Sequence, residues 1–400
     1  MSDLLAQAAA RFGALPFLIS DDTTFTFAEV EAAVEELARS LAPRRNIAFT
    51  PAIAIVSVIE ILATIRAESR SVLIPPSWPV DLAAQCIPTG EADTPEVIVF
   101  TSGSAGRPKA VRLSEKNWQA AGVSSTNFYG FGPEGRWLLV LPLFHVSGLS
   151  IIFRALVSGG AALLSPRLEP EALDEADFAS LVPAQLRDAV EKRSKPPRAE
   201  VVVGGGALPS ELVARAQGWT IHRTYGMSET AAVVASGPPQ TEWMTALPGV
   251  DISVADQGLL QIRGAQVSPG YADDSERGPN DWFVTSDFGK VQGDQVAVTG
   301  RADRMINTGG EKVDPAEVES LLLSHPEVAD VYVFGQPDER WGEAVAVVYT
   351  GSAAPNDLAE LVSEHLGPHA RPRRIERVDE IPRTELGKAN PSFLRKTPRD

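Results

Sequence analysis

The chain is poor in thiols, in positive charge and in long apolar runs. A single cysteine, Cys86, among 400 residues excludes an intramolecular disulfide framework and fits a reducing cytosol; it reads as a core thiol. Lysine and arginine number 36 against 52 acidic residues, a net charge of −16 with a pI near 4.9. That deficit argues against nucleic acid and anionic membrane as partners, since both need a basic face, and the acidic excess serves solubility. The most apolar stretch, Ala52 to Ile65, is short for a bilayer span and carries Glu60, so a buried helix is expected there and no membrane insertion. Met1-Ser-Asp-Leu-Leu lacks the basic, then long apolar, make-up of a leader, and a cytoplasmic location is expected. No internal repeat is present, no G-x-x-x-x-G-K-(S/T) loop, and no G-x-G-x-x-G after the first strand. A dinucleotide dehydrogenase therefore finds no support.

What is present is the length and apolar fraction (44 %) of an ordinary globular chain with two or more domains. Thr26-Phe-Ala-Glu29 has the capping-box pattern, and Val30, Val34, Leu37 and Leu41 follow at helical spacing. Strand-like runs (Val97–Phe100, Leu138–Leu141, Val201–Val203) alternate with helical segments expected at Pro170–Phe178 and Pro209–Gln217, which predicts α/β layers. The tail behaves as a unit of its own. A polar break at Gly300-Arg-Ala-Asp303 precedes an N-cap and proline at Asp314-Pro315, a helix to about Leu323 and strands at Val328–Phe334 and Ala344–Tyr349. A helix from about Asp357 to Gly367 and a strand at Ile375–Val378 complete it.

Thr101-Ser-Gly-Ser-Ala-Gly-Arg-Pro-Lys109 follows the buried run Val97–Phe100. Small residues and glycines let backbone N–H groups converge on an anion, and Lys109 adds a point charge. A nucleotide phosphate tail is the natural guest. The loop resembles the phosphate loop of the adenylate-forming superfamily, (S/T)-S-G-(S/T)-T-G-x-P-K-G, and four further matches follow in the family's order. These are Tyr225-Gly-Met-Ser-Glu-Thr230, Val284-Thr-Ser-Asp287, Gly300-Arg-Ala-Asp303 with Gly309-Gly310, and Pro382-Arg-Thr-Glu-Leu-Gly-Lys388. Gly204-Gly-Gly-Ala207 resembles a further glycine segment of the family. Pro142-Leu-Phe-His-Val-Ser-Gly-Leu149 resembles the acyl- and aryl-CoA synthetase branch rather than the amino-acid-activating one.

The resemblance implies an α/β fold: a large AMP-binding domain of layered sheets and helices over residues 1–300, a hinge over 301–303, and a small mobile α+β domain over 304–400. It implies ATP, Mg2+ and coenzyme A as cofactors or co-substrates, a small carboxylic acid as substrate, and leaves a homodimer open. Ser102, Gly103, Ser104, Gly106 and Lys109 would hold phosphates, with Thr101 among the catalytic residues. Gly205, Gly206, Tyr225, Gly226, Met227, Ser228 and Thr230 would meet the nucleotide, Tyr225 lying against adenine, and Glu229 would hold magnesium. Asp287 and Arg301 would take the ribose, and Gly309 and Gly310 would reach the site after rotation about Asp303. His145 would line the acyl pocket and gate the thiol's path, beside Ser147, Gly148, Gly204 and Thr224; Arg154 is a further candidate for an anionic substrate arm. Lys388 is the expected catalytic cation. Within the branch, Leu181-Val-Pro-Ala-Gln-Leu186, Val201–Leu208 and the compact length resemble the ligases that take o-succinylbenzoate in menaquinone biosynthesis; another aryl- or fatty acyl-CoA synthetase and a stand-alone adenylation domain that loads a carrier protein are the competing readings. Ala105, Ala110 and Ser286 depart from the family pattern, Ser286 replacing the glycine of a T-G-D turn.

Overall fold

The computed structural model describes residues 3–21, 23–91, 94–101, 108–272, 276–278 and 280–383. Three sheets organise them. The first has thirteen strands, the second four and the third, C-terminal one five. The result is the expected α/β fold with a large N-terminal domain and a smaller α+β C-terminal domain.

In the thirteen-stranded sheet, strands Ala161–Leu164, Arg136–Leu139, Phe178–Leu181, Glu200–Val203 and Ile221–Met227 run side by side and parallel. The first four are short apolar runs almost wholly buried, as strands covered on both faces must be, whereas in Ile221–Met227 only Ile221 and Tyr225 are buried. Beyond Met227 the sheet continues antiparallel to Asp251–Val254. The four-stranded sheet ends in the hairpin Glu96–Thr101 with Lys109–Ser114, where Thr101 pairs with Lys109. A helix Ile55–Arg66 packs against it, burying Val58, Ile61, Leu62 and Ile65 as the apolar run predicts.

Helix Phe27–Ala38 opens on the reciprocal capping box of Thr26 and Glu29. Asp314 caps helix Pro315–Leu323, and Gly367 ends Pro355–Leu366. One expected helix fails. Pro170–Asp174 makes only a single 3₁₀ turn, and Phe178 opens a central strand. Three carboxylates within five residues (Asp174, Glu175, Asp177) follow one apolar anchor, Leu173, and the Phe178 ring stacks on Trp137 at 4.8 Å. Tertiary packing outweighs a weak helical preference there. Among the described residues no helix is long and apolar enough to cross a membrane.

Candidate active site

Parallel strands deliver their C-terminal ends to one edge, the place where open α/β sheets bind ligands. After Leu139 the chain turns through Pro142 into His145 and helix Val146–Ser158. His145 is the half-buried N-cap residue, its ring 4.6 Å from that of Phe144, with Ser147 and Gly148 in the first turn behind it. After Val203 come Gly204, Gly205 and Gly206, exposed or half-buried. The Thr224 hydroxyl donates to the Val203 carbonyl (2.9 Å) and lies where a Cβ on Gly204 would be, at 2.6 Å. The acyl-side candidates thus share an edge with the nucleotide-side ones.

Tyr225 and Asp287 meet inside the protein, 9 % and 3 % exposed. The Tyr225 hydroxyl donates to Asp287 Oδ2 at 2.8 Å, and Arg301 Nη1 donates to Oδ1 at 2.9 Å. Burial, then the Asp287 charge and hydrogen bond, push the phenol well above its ordinary range, so it stays a donor. Arg301 turns its other nitrogens to Asp303, at 2.7 and 2.8 Å. Burial works against the Asp303 charge, but these bonds and the Arg301 charge hold its carboxyl below the ordinary value. The ribose candidate and the hinge candidate are therefore joined through one guanidinium. Ser286 sits exposed in the regular strand Phe283–Gln292; no tight turn occurs there, so serine in place of glycine carries no conformational penalty.

The turn Ser228–Thr230 is tightly built. Thr230 is fully buried, and its hydroxyl takes the Met227 N–H (3.1 Å) while lying 2.9 Å from the Ala232 carbonyl. It shapes the turn from beneath. Ala231 and Ala232 follow with φ of 50° and 98°, conformations that cost a non-glycine residue of order 1–3 kcal/mol. Gly226 makes the fold-back fit, since a Cβ there would stand 1.9 Å from the Ala232 carbonyl oxygen. Gly226→Ala is expected to lower stability by about 3 kcal/mol, seen as a fall in denaturant midpoint at constant slope; an unchanged midpoint would contradict this packing.

Glu229 projects from that turn, half-buried. One of its oxygens takes the Tyr271 hydroxyl at 2.8 Å, and the Lys109 ammonium lies 5.0 Å from the centre of the same Tyr271 ring. Sequence reasoning missed Tyr271. It follows Ser268-Pro-Gly270 without a motif, and only pairing with Val111 brings it here. Among the described residues no group of three or more acidic, histidine or cysteine side chains could hold a metal alone. A single half-buried carboxylate with an available oxygen suits magnesium that arrives on nucleotide phosphates, because that ion keeps waters and phosphate oxygens and needs only one or two protein carboxylates.

Arg154, the sequence candidate for an anionic substrate arm, lies deep in the protein. It is 2 % exposed, stacked 4.4 Å over Trp137, and its Nε and Nη1 are buried without hydrogen-bond partners. Burial brings its pKa down to about 10, Tyr129 acting weakly the other way, so it is charged at neutral pH. Gly309 and Gly310 form the hairpin turn between strands Ile306–Thr308 and Glu311–Val313 in the C-terminal sheet. Ser102, Gly103, Ser104, Gly106 and Lys388 lie outside the described residues.

The sequence pattern of AMP-binding enzymes matches residues 67–272, and that of the AMP-binding enzyme C-terminal domain matches residues 317–388. The chain is 30 % identical over 343 residues to the 2-succinylbenzoate–CoA ligase of Bacillus licheniformis (76 % of this chain, 72 % of that one). It is 34 % identical over 331 residues to a probable 2-succinylbenzoate–CoA ligase of Mycobacterium tuberculosis (76 % and 84 %). The o-succinylbenzoate CoA synthetase of Bacillus subtilis, solved with its acyl-adenylate intermediate, superposes with a TM-score of 0.84 at 24 % identity, covering 100 % of this chain and 99 % of that one. The same synthetase with ATP and a magnesium ion gives 0.82, with 97 % and 98 % covered. This chain belongs to the AMP-binding enzyme family. It is an acid–thiol ligase of that family.

Proposed function

We propose that the chain is a 2-succinylbenzoate–CoA ligase, forming the acyl-adenylate and then the CoA thioester in menaquinone biosynthesis. The observation that carries the substrate reading is Arg154. An unpaired guanidinium in a dry interior costs stability, and proteins retain such a charge where a ligand completes the pair. Helix Val146–Ser158 starts at the ligand edge with His145 and carries Arg154 back beneath the sheet. A substrate with a second carboxylate on a side arm would supply the counter-charge that Arg154 lacks; a fatty acid or simple benzoate would not.

In the adenylation step the substrate carboxylate attacks the α-phosphate of ATP and pyrophosphate departs. Asp287 orients the ribose through hydroxyls, with Tyr225 and Arg301 holding its carboxylate. Lys109 meets the phosphates. Glu229 would hold magnesium arriving with the nucleotide, which when bound would offset phosphate charge. Lys388 brings a cation to the charge that grows in the transition state, where it is worth more than in the ground state. Residues 301–303 then act as the hinge between a domain of residues 1–300 and one of 304–400, and rotation brings Gly309 and Gly310 to the site for thiolate attack, releasing AMP. One cavity face cannot present both reagents, so a pivot answers a geometric need.

Purified protein offered 2-succinylbenzoate, benzoate, a fatty acid or an amino acid, with and without coenzyme A, is expected to release pyrophosphate with the first and to form thioester only with coenzyme A. Arg154→Met is expected to raise KM for 2-succinylbenzoate about 100-fold and erase its preference over benzoate. Thermal stability should hold or rise, because an uncompensated charge is removed. A variant that keeps the preference would remove the basis for the substrate assignment.

A further inference from the structure

We propose that Tyr271 is a positioning residue that keeps Lys109 and Glu229 apart and ready before ATP arrives. Its hydroxyl holds one Glu229 oxygen (2.8 Å) while its ring face carries the Lys109 ammonium (5.0 Å to the centroid). Opposite charges this close to one ring attract each other, yet among the described residues Lys109 and Glu229 form no ion pair with each other. A direct pair would occupy the oxygen that suits the metal and the ammonium that suits the phosphates. The aromatic spacer prevents this, binding the cation by its quadrupole and the anion by its polar edge.

The ring can do this because its backbone is fastened to both parties. Tyr271 pairs with Val111, the Ala272 N–H donates to Ala110 (2.9 Å) and the Arg112 N–H to Gly270 (3.1 Å), which ties the segment to the strand that starts at Lys109. On the other side the Ser268 N–H donates to the Glu229 carbonyl at 2.8 Å. The Ser268 hydroxyl closes the segment, 2.7 Å from the Arg112 carbonyl and 2.9 Å from that of Gly270. Nucleotide-side chemistry is thereby set by a residue in neither motif.

The inference rests on Glu229 meeting magnesium, so Glu229→Gln is run beside it. Calorimetric titration of the full chain with ATP, at stepped Mg2+ and with none, reads the effect directly. Tyr271→Phe is expected to weaken Mg2+-dependent ATP binding about tenfold, the worth of one hydrogen bond to a charged group, and to leave metal-free ATP binding unchanged. Tyr271→Leu, which also removes the seat of Lys109, should weaken both. The melting temperature should stay at the wild-type value in Tyr271→Phe. If Glu229→Gln shifts the Mg2+ dependence and Tyr271→Phe does not, the positioning role is overturned. Equal loss with and without Mg2+, or a lowered melting temperature with both half-reactions slowed, would reduce Tyr271 to packing and overturn it too. If Glu229→Gln leaves Mg2+ dependence untouched, the metal reading of Glu229 fails and takes this inference with it.

Discussion

Lys388→Ala is expected to slow acyl-adenylate formation about 100- to 1,000-fold, the usual loss when one preorganised charge aimed at a transition state is removed, while thioester formation from supplied acyl-adenylate stays within a few-fold. The asymmetry follows from where charge develops. In the first half-reaction negative charge accumulates on the α-phosphoryl oxygens and departing pyrophosphate, so an ammonium there lowers the barrier directly. In the second, a thiolate attacks the mixed anhydride and AMP leaves with one more negative charge on its phosphate, but under the proposed rotation about residues 301–303 Lys388 has by then left that phosphate, so its loss changes little. Pyrophosphate exchange into ATP measures the first half-reaction, and consumption of synthetic acyl-adenylate with coenzyme A measures the second. Equal losses in both would contradict the role given to Lys388.

Asp287→Ala should weaken ATP binding by about 100- to 1,000-fold and also destabilise the fold, two effects with different origins. The binding loss reflects charge-assisted hydrogen bonds, which lose about 3–4 kcal/mol when one partner of a buried pair is deleted. The stability loss comes from Tyr225. Its hydroxyl is buried against Asp287, and truncation leaves it unsatisfied at a cost of about 1–3 kcal/mol. Arg301 is close to half-exposed and keeps Asp303, so its share of the stability loss is small. Asp287→Asn, which preserves volume and one acceptor, should recover most stability and little affinity. AMP titration and urea unfolding separate the two, and a variant binding AMP as wild type does would remove Asp287 from the ribose.

The family was readable because its motifs are contiguous runs, and among the described residues Tyr225 at a strand end and the turn Ser228–Thr230 are set by local backbone chemistry. Most elements were readable for the same reason, and the helix capped by Thr26 and Glu29 needed nothing beyond its own residues. The exception at Pro170–Phe178 shows the limit, since Phe178 becomes a strand residue by stacking on Trp137 across the sheet.

The amino-acid order by itself decided the family and the α/β plan with a large N-terminal and a smaller C-terminal domain, and it named the candidates for phosphate and ribose, because such chemistry is encoded in short spacings. Tertiary structure alone decided how they are held. Tyr271 reaches Glu229 across 42 residues, Arg301 links Asp287 to Asp303, and Arg154 becomes an unpaired buried cation only once Trp137 and Tyr129 close around it. Such contacts depend on strand order and register, which bring distant residues together, and no local spacing records that.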